Sequence, residues 1–188
     1  MRAAPLLTLL LAGCAAVRGG DAPVTMRVDP GFAAGTPAAG SIAVAPVLAR
    51  GLAGHRRYTY VAAAAPGELR QAARLFWEEP PPRLLERALA EALATRYAQV
   101  YATATPLPAD RRVVATLIRF EEADAGAASR AVVAFDAVVT RGGRIERTGR
   151  WCATAPIADA SGTTRARAFE TALGAAVSAF VAERAKGC

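Results

Sequence analysis

Three long stretches in the second half of the chain alternate apolar and polar side chains, and they follow one another so closely that little choice of pairing remains. Residues 113–121 carry Val114, Thr116, Ile118 and Phe120 on one face; residues 131–140 carry Val133, Phe135, Ala137 and Val139; residues 144–155 carry Ile145, Gly149, Trp151 and Ala153. Period-two alternation marks a half-buried strand. The connections are residues 122–130 and Arg141-Gly142-Gly143, the second a strong hairpin signal, so the three predict an antiparallel meander.

Two helices flank this core. Pro80-Pro81-Pro82 forbids helix until its end and then pre-sets φ for a helix start. From about 82 to 97, Leu85, Leu89 and Leu93 recur every fourth residue beside Leu84, Ala88 and Ala92, with Glu86, Arg87, Glu91 and Arg96 opposite. A last helix, about 164–185, aligns Ala166, Phe169, Leu173, Ala176, Val177 and Phe180. Shorter strands are expected at 24–28, 41–48, 58–61 and 99–105. The expected fold is α+β, a mostly antiparallel sheet with two amphipathic helices packed on it.

The N-terminus constrains location. Arg2, the apolar stretch 5–12 and Ala12-Gly13 have the charge, apolar run and small residues of a secretory signal, too short for the roughly 20 residues of a spanning helix. Cys14 directly after Leu11-Ala12-Gly13 makes it a bacterial lipoprotein signal, the alternative being a plain signal with a chance cysteine. The organisation expected is a signal peptide over 1–13, a lipidated tether over 14–23 rich in Ala and Gly, and one domain over 24–188. Acyl chains such as palmitate on Cys14 anchor the protein without spanning. Ala15 and Ala16, rather than the Asp that retains many lipoproteins at the inner membrane, make the periplasmic face of the outer membrane the expected location.

Signal removal takes Arg2 with it and lowers the formal charge by one, from +7 to +6. Such an excess raises nucleic acid as a partner. Export argues against it, leaving a solvated basic surface that can rest on anionic lipid. With Cys14 given to lipid, Cys152 and Cys188 form an even pair in an oxidising compartment, read as a disulfide or as two free thiols. A bridge closes a loop of 37 residues, worth about 3.8 kcal/mol in the chain-entropy model. One tension attends it. If Trp151 faces the helices, Cys152 faces away, so either a bulge shifts the register or the tail wraps the sheet edge.

No catalytic residue emerges. His55 is the only histidine, in a basic loop-like stretch Gly54-His55-Arg56-Arg57 without a nucleophile elbow, and reads as a surface residue rather than a general base. Glu78-Glu79 and Glu121-Glu122, with Asp124 nearby, are adjacent pairs that diverge on a strand and read as solvated loop charges. No metal site is expected, because Cys152 and Cys188 with His55 fall short of four ligands. No cofactor is implied. Trp77, just ahead of the proline-rich helix entry, reads either as core or as an exposed partner contact.

The order of these features carries a resemblance. After the lipoprotein signal come Val44-Ala45-Pro46-Val47 and Tyr58-Thr59-Tyr60, then Phe76-Trp77 and Glu79-Pro80 ahead of Leu84-Leu85, Leu89 and Leu93, a strand ending Arg119-Phe120-Glu121, and an Ala-rich last helix. Over roughly 24–185 the chain resembles the ABC-type transport auxiliary lipoproteins, the family of the paraquat-inducible protein C lipoprotein. The resemblance implies a non-catalytic docking subunit at the outer membrane that works with an MCE-domain protein and an inner-membrane ABC permease and ATPase in lipid transport, and that can form a homo-oligomer. It transfers no ligand site. The competing readings are a carrier holding a lipid between sheet and helices, and an assembly lipoprotein of another outer-membrane machinery.

Overall fold

The computed structural model describes residues 22–102, 108–126 and 128–184. In chain order the strands and helices are β1 (Val24–Met26), β2 (Ala38–Val44), β3 (Leu48–Ala49), β4 (Arg57–Ala62), β5 (Leu69–Trp77), α1 (Pro81–Ala94), β6 (Tyr97–Ala102), β7 (Arg111–Ala125), β8 (Arg130–Arg141), β9 (Arg144–Pro156) and α2 (Gly162–Val181). The class is α+β, as the sequence patterns imply.

Strand β7 organises the sheet. One of its edges pairs antiparallel with β8, and β8 pairs antiparallel with β9, the expected meander. Gly142 and Gly143 turn the second hairpin with φ of 54° and 79°, the both-positive pattern of a type I′ turn that glycine adopts without steric cost. The other edge of β7 takes three parallel partners in succession: β2 at its start, β3 at Thr116 and Leu117, and β4 at its end. Strand β6 lies parallel beyond β2, while β5 pairs antiparallel with β4 and parallel with β1. The sheet is therefore mixed, its longest pairings antiparallel.

Two bulges set which side chains face the helices. Strand β7 buries Val113, Ala115 and Leu117, then slips by one residue at Ile118 and buries Phe120, while Val114 is exposed. Strict alternation from Val114 through Phe120 thus fails, because the extra residue of a bulge reverses the face that follows it. A second slip between β8 and β9 leaves Ile145 exposed and turns Arg147, Gly149 and Trp151 inward. Strand β8 has no such interruption at its centre, and Val133, Phe135, Ala137 and Val139 are all in the core.

Both helices cover one face of the sheet. Helix α1 starts with proline in its first turn and buries Leu84, Leu85, Ala88, Leu89, Ala92 and Leu93. Ser161 caps α2 by accepting the Thr164 N–H at 3.2 Å, and the apolar stripe centred on Phe169, Leu173, Val177 and Phe180 packs on the sheet. The space between is filled with rings. Trp77, Tyr58, Phe120 and Phe169 form one group, with centroids 4.7–5.9 Å apart, and Phe135, Trp151 and Phe180 form another at 5.0–6.0 Å.

The N-terminal segment runs along α2 in the helix direction. Val24 lies against Gly162 at the start of α2, Pro30 against Gly174, and Phe32 lines a groove with Ser178 and Val181 at its end. The chain therefore enters the domain at the pole where α2 begins.

Candidate functional site

Opposite that pole, a cleft of about 410 Å³ opens where α2 ends. Its floor is Ile42 of β2, Leu93 of α1 and Val139 of β8, each nearly closed to solvent at 1–4% exposure. Its walls are polar. Arg96 donates from Nη1 to the Val181 carbonyl and Arg147 from Nη1 to the Phe180 carbonyl, both at 2.8 Å, so two guanidinium groups satisfy the last carbonyls of α2 and oppose the negative end of its dipole. The Arg147 guanidinium lies 4.5 Å above the Phe180 ring and 5.5 Å from that of Trp151. Arg111 pairs with Glu146 at 2.7 Å and lies over Tyr97. Burial holds the Arg147 guanidinium below its ordinary pKa, with neighbouring Arg96 adding to the shift and Glu183 opposing it.

A second polar group is enclosed beneath the start of α2. Tyr58 of β4 donates its hydroxyl to Glu122 Oε2 of β7 at 2.5 Å, and Arg165 of α2 donates from Nε to the same oxygen at 3.0 Å. Arg165 also stands 5.3 Å from the centre of the Tyr58 ring. Glu122 is 2% exposed, and a carboxylate so deep is tolerated only when it is hydrogen-bonded and charge-paired, as here. Burial first, and the bond to Glu122 second, raise the Tyr58 pKa. The three side chains hold β4, β7 and α2 together; the arrangement is a strut, with its only solvent-facing member on the helix.

Glu121 and Glu122 diverge as expected of strand neighbours, but they are not solvated loop charges. Both lie in β7, Glu121 bonded to Arg119 Nε at 2.8 Å and Glu122 in the strut. The bulge at Ile118 is what brings Glu122 to the helix side. Glu78 pairs with Arg27 at 2.7 Å on the surface, and Glu79 lies 3.8 Å from Arg87. His55 is exposed at the end of a 3₁₀ turn. Trp77 is 1% exposed, so its ring belongs to the core and offers no surface to a partner. Cys152 on β9 faces away from the helices, in a small cluster with Ala123, Val132 and Ala134. Cys14 and Cys188 lie outside the described residues. Among the described residues no group of three or more His, Cys, Asp or Glu is arranged to hold a metal ion, and no helix is long and apolar enough to cross a membrane.

Residues 27–182 match the model of the ABC-type transport auxiliary lipoprotein component family. The chain belongs to this family. Among solved structures it is similar to protein XCC0632 from Xanthomonas campestris, of family DUF330, with a TM-score of 0.72 and 21% identity over 84% of this chain and 92% of that one. A second crystal structure, of an uncharacterized protein, aligns with a TM-score of 0.67 and 11% identity over 87% of this chain and 99% of that one. At such identities these two likenesses concern the fold alone. Among curated proteins nothing matches. The family assigns the chain to the auxiliary components of ABC-type transport.

Proposed function

We propose that this protein is the docking subunit of an MCE-type intermembrane lipid-transport system, anchored by lipid on Cys14 at the periplasmic face of the outer membrane. It works without catalysis, through contact with an MCE-domain protein that connects to an inner-membrane ABC permease and ATPase. The family match over residues 27–182 carries this reading.

Packing supports docking over carriage. A lipid held between sheet and helices needs a void lined by apolar side chains. That space is instead filled by Trp77, Phe120, Phe135, Trp151, Phe169 and Phe180, each 1% exposed or less, and by the alanines of α2 that let the helix approach the sheet closely.

The test is purification of the tagged full-length protein from membranes of the source bacterium in mild detergent. Recovery of an MCE protein with the permease, and sedimentation with outer-membrane fractions, are expected. Phospholipid bound one to one, with no protein companion, would replace the docking reading with the carrier reading.

A further inference from the structure

We propose that the arginine-walled cleft at the C-terminal end of α2 is where the partner docks, and that it receives an acidic, carboxylate-bearing segment of the transport complex. The proposal rests on the docking reading and adds to it a surface and a chemistry.

Position is the first argument. The chain enters the domain beside the start of α2, and the cleft lies at the other end of this 20-residue helix, about 30 Å away at 1.5 Å per residue. From Cys14 to Ala22 there are eight residue steps, which reach at most about 29 Å when fully extended. An anchor on Cys14 therefore holds the entry pole near the bilayer, and when α2 stands off the membrane the cleft lies about a helix length from it. In that upright posture the cleft points away from the anchoring bilayer, toward whatever stands in front of it.

Charge is the second. Arg96, Arg111 and Arg147 line the cleft against Glu146 and Glu183, and the hairpin between β8 and β9 adds exposed Arg141 and Arg144 next to it. Arg111 and Arg141 share Glu146, at 2.7 and 3.9 Å, which leaves Arg96, Arg147 and Arg144 against Glu183. A guanidinium carries five N–H donors in a fork that matches a carboxylate. Arg96 and Arg147 each direct one to the end of α2, which leaves donors for a further acceptor. The depressed Arg147 pKa points the same way, since a partly desolvated cation beside another cation gains from an incoming anion.

Size selects a side chain over a lipid tail. A volume of about 410 Å³ is at the small end for enclosed ligands. Its apolar floor is almost fully covered already, so it offers an acyl chain little surface to bury. A carboxylate flanked by one small apolar residue fits both walls and floor.

The experiment is site-specific photo-crosslinking of the full-length lipidated protein in the source bacterium, with a benzoylphenylalanine at Tyr97 on the cleft wall and, separately, at Thr154, which is exposed toward the opposite end of β9. A covalent adduct at Tyr97 to an acidic peptide of an MCE or permease protein is expected. Arg96→Glu should lower its yield by about tenfold, the effect of a 1.4 kcal/mol loss. Changing the crosslinked acidic residue of the partner to lysine should restore it. Arg96 is exposed, and the milder Arg96→Gln provides a second variant should Arg96→Glu fail to fold. Partner adducts at Thr154 and not at Tyr97 would overturn the cleft while leaving docking in place. Phospholipid adducts at Tyr97 would overturn it in favour of a headgroup. Absence of protein adducts from both positions would likewise overturn the cleft, the docking reading being tested separately by copurification.

Discussion

Replacing Arg165 with methionine strands the Glu122 carboxylate. In the folded protein this group keeps 3% of its side-chain surface exposed and has two charge- or dipole-bearing partners, Arg165 at 3.0 Å and the Tyr58 hydroxyl at 2.5 Å. Breaking a buried pair from one side costs about 3–5 kcal/mol, because a charge remains buried without its counter-ion. Arg165 itself is 17% exposed, so water can reach part of the vacated site, which places the expected cost at the lower end, about 3 kcal/mol. With a urea slope of about 1–3 kcal/mol per molar, the unfolding midpoint should fall by roughly 1–3 M. Fluorescence of Trp77 and Trp151, both buried, reports the transition directly. Replacing all three members by apolar residues of similar size, Tyr58→Phe, Glu122→Leu and Arg165→Met, should recover most of the loss, since no polar group is then left unpaired. The same network gives a pH signature. Because the folded pKa of Tyr58 is raised, its contribution is complete below the unfolded value near 10 and is lost as pH rises above it, by up to about 1.4 kcal/mol per pH unit. Tyr58→Phe removes this slope. A single Arg165→Met variant that unfolds within about 0.2 M urea of the parent, or a triple variant no more stable than the single one, would refute the strut.

Three further outcomes are expected. Cys14→Ser should leave the protein unprocessed or release it to the soluble periplasmic fraction, and palmitate labelling that persists in this variant would contradict lipidation there. Thiol titration of denatured, unreduced protein taken directly from the periplasm should find neither Cys152 nor Cys188 free, and Cys188→Ser should cost about 2–4 kcal/mol in urea unfolding; two titratable thiols would count against the bridge. Trp77→Ala should cost about 3–5 kcal/mol, as truncation of a fully enclosed ring does, and a melting temperature equal to the parent's would contradict its place in the core.

The meander was legible in the sequence because its three strands are local, long and joined by short turns, one of them Gly-Gly. The parallel pairings were not. Strands β2, β3 and β4 meet β7 across separations of some 60 residues or more, and nothing in their own alternation says which edge they join. Strand β5 escaped notice for a different reason. Leu69-Arg70-Gln71-Ala72-Ala73-Arg74-Leu75 has no period of two, and its exposure changes in pairs of residues rather than alternately. The helices were visible through their stripes, yet α1 ends at Ala94, three residues before the expected 97. The turn that follows leads directly into β6, where Tyr97 pairs with Ala38.

The site shows the same division between local and distant information. That Glu121 and Glu122 diverge follows from strand geometry, and it holds. Which of them faces α2 depends on the bulge at Ile118, a single inserted residue that exchanges the two faces of β7 between Leu117 and Phe120. Without it, Glu121 rather than Glu122 would lie opposite Ala131 and face Arg165. The second bulge acts likewise at the other pole: by turning Ile145 outward it sets Arg147 beneath the end of α2, where its guanidinium reaches the Phe180 carbonyl. Both polar features, the strut at one end of α2 and the cleft at the other, therefore depend on one-residue irregularities in otherwise regular strands. Deleting Ile118 removes the extra residue and leaves Arg119 opposite Ala134 and Glu122 opposite Ala131, so the strut should persist and Arg165→Met should cost as much in that background as in the parent. A deletion background in which Arg165→Met costs nothing in urea unfolding would show that Ile118 is not the inserted residue.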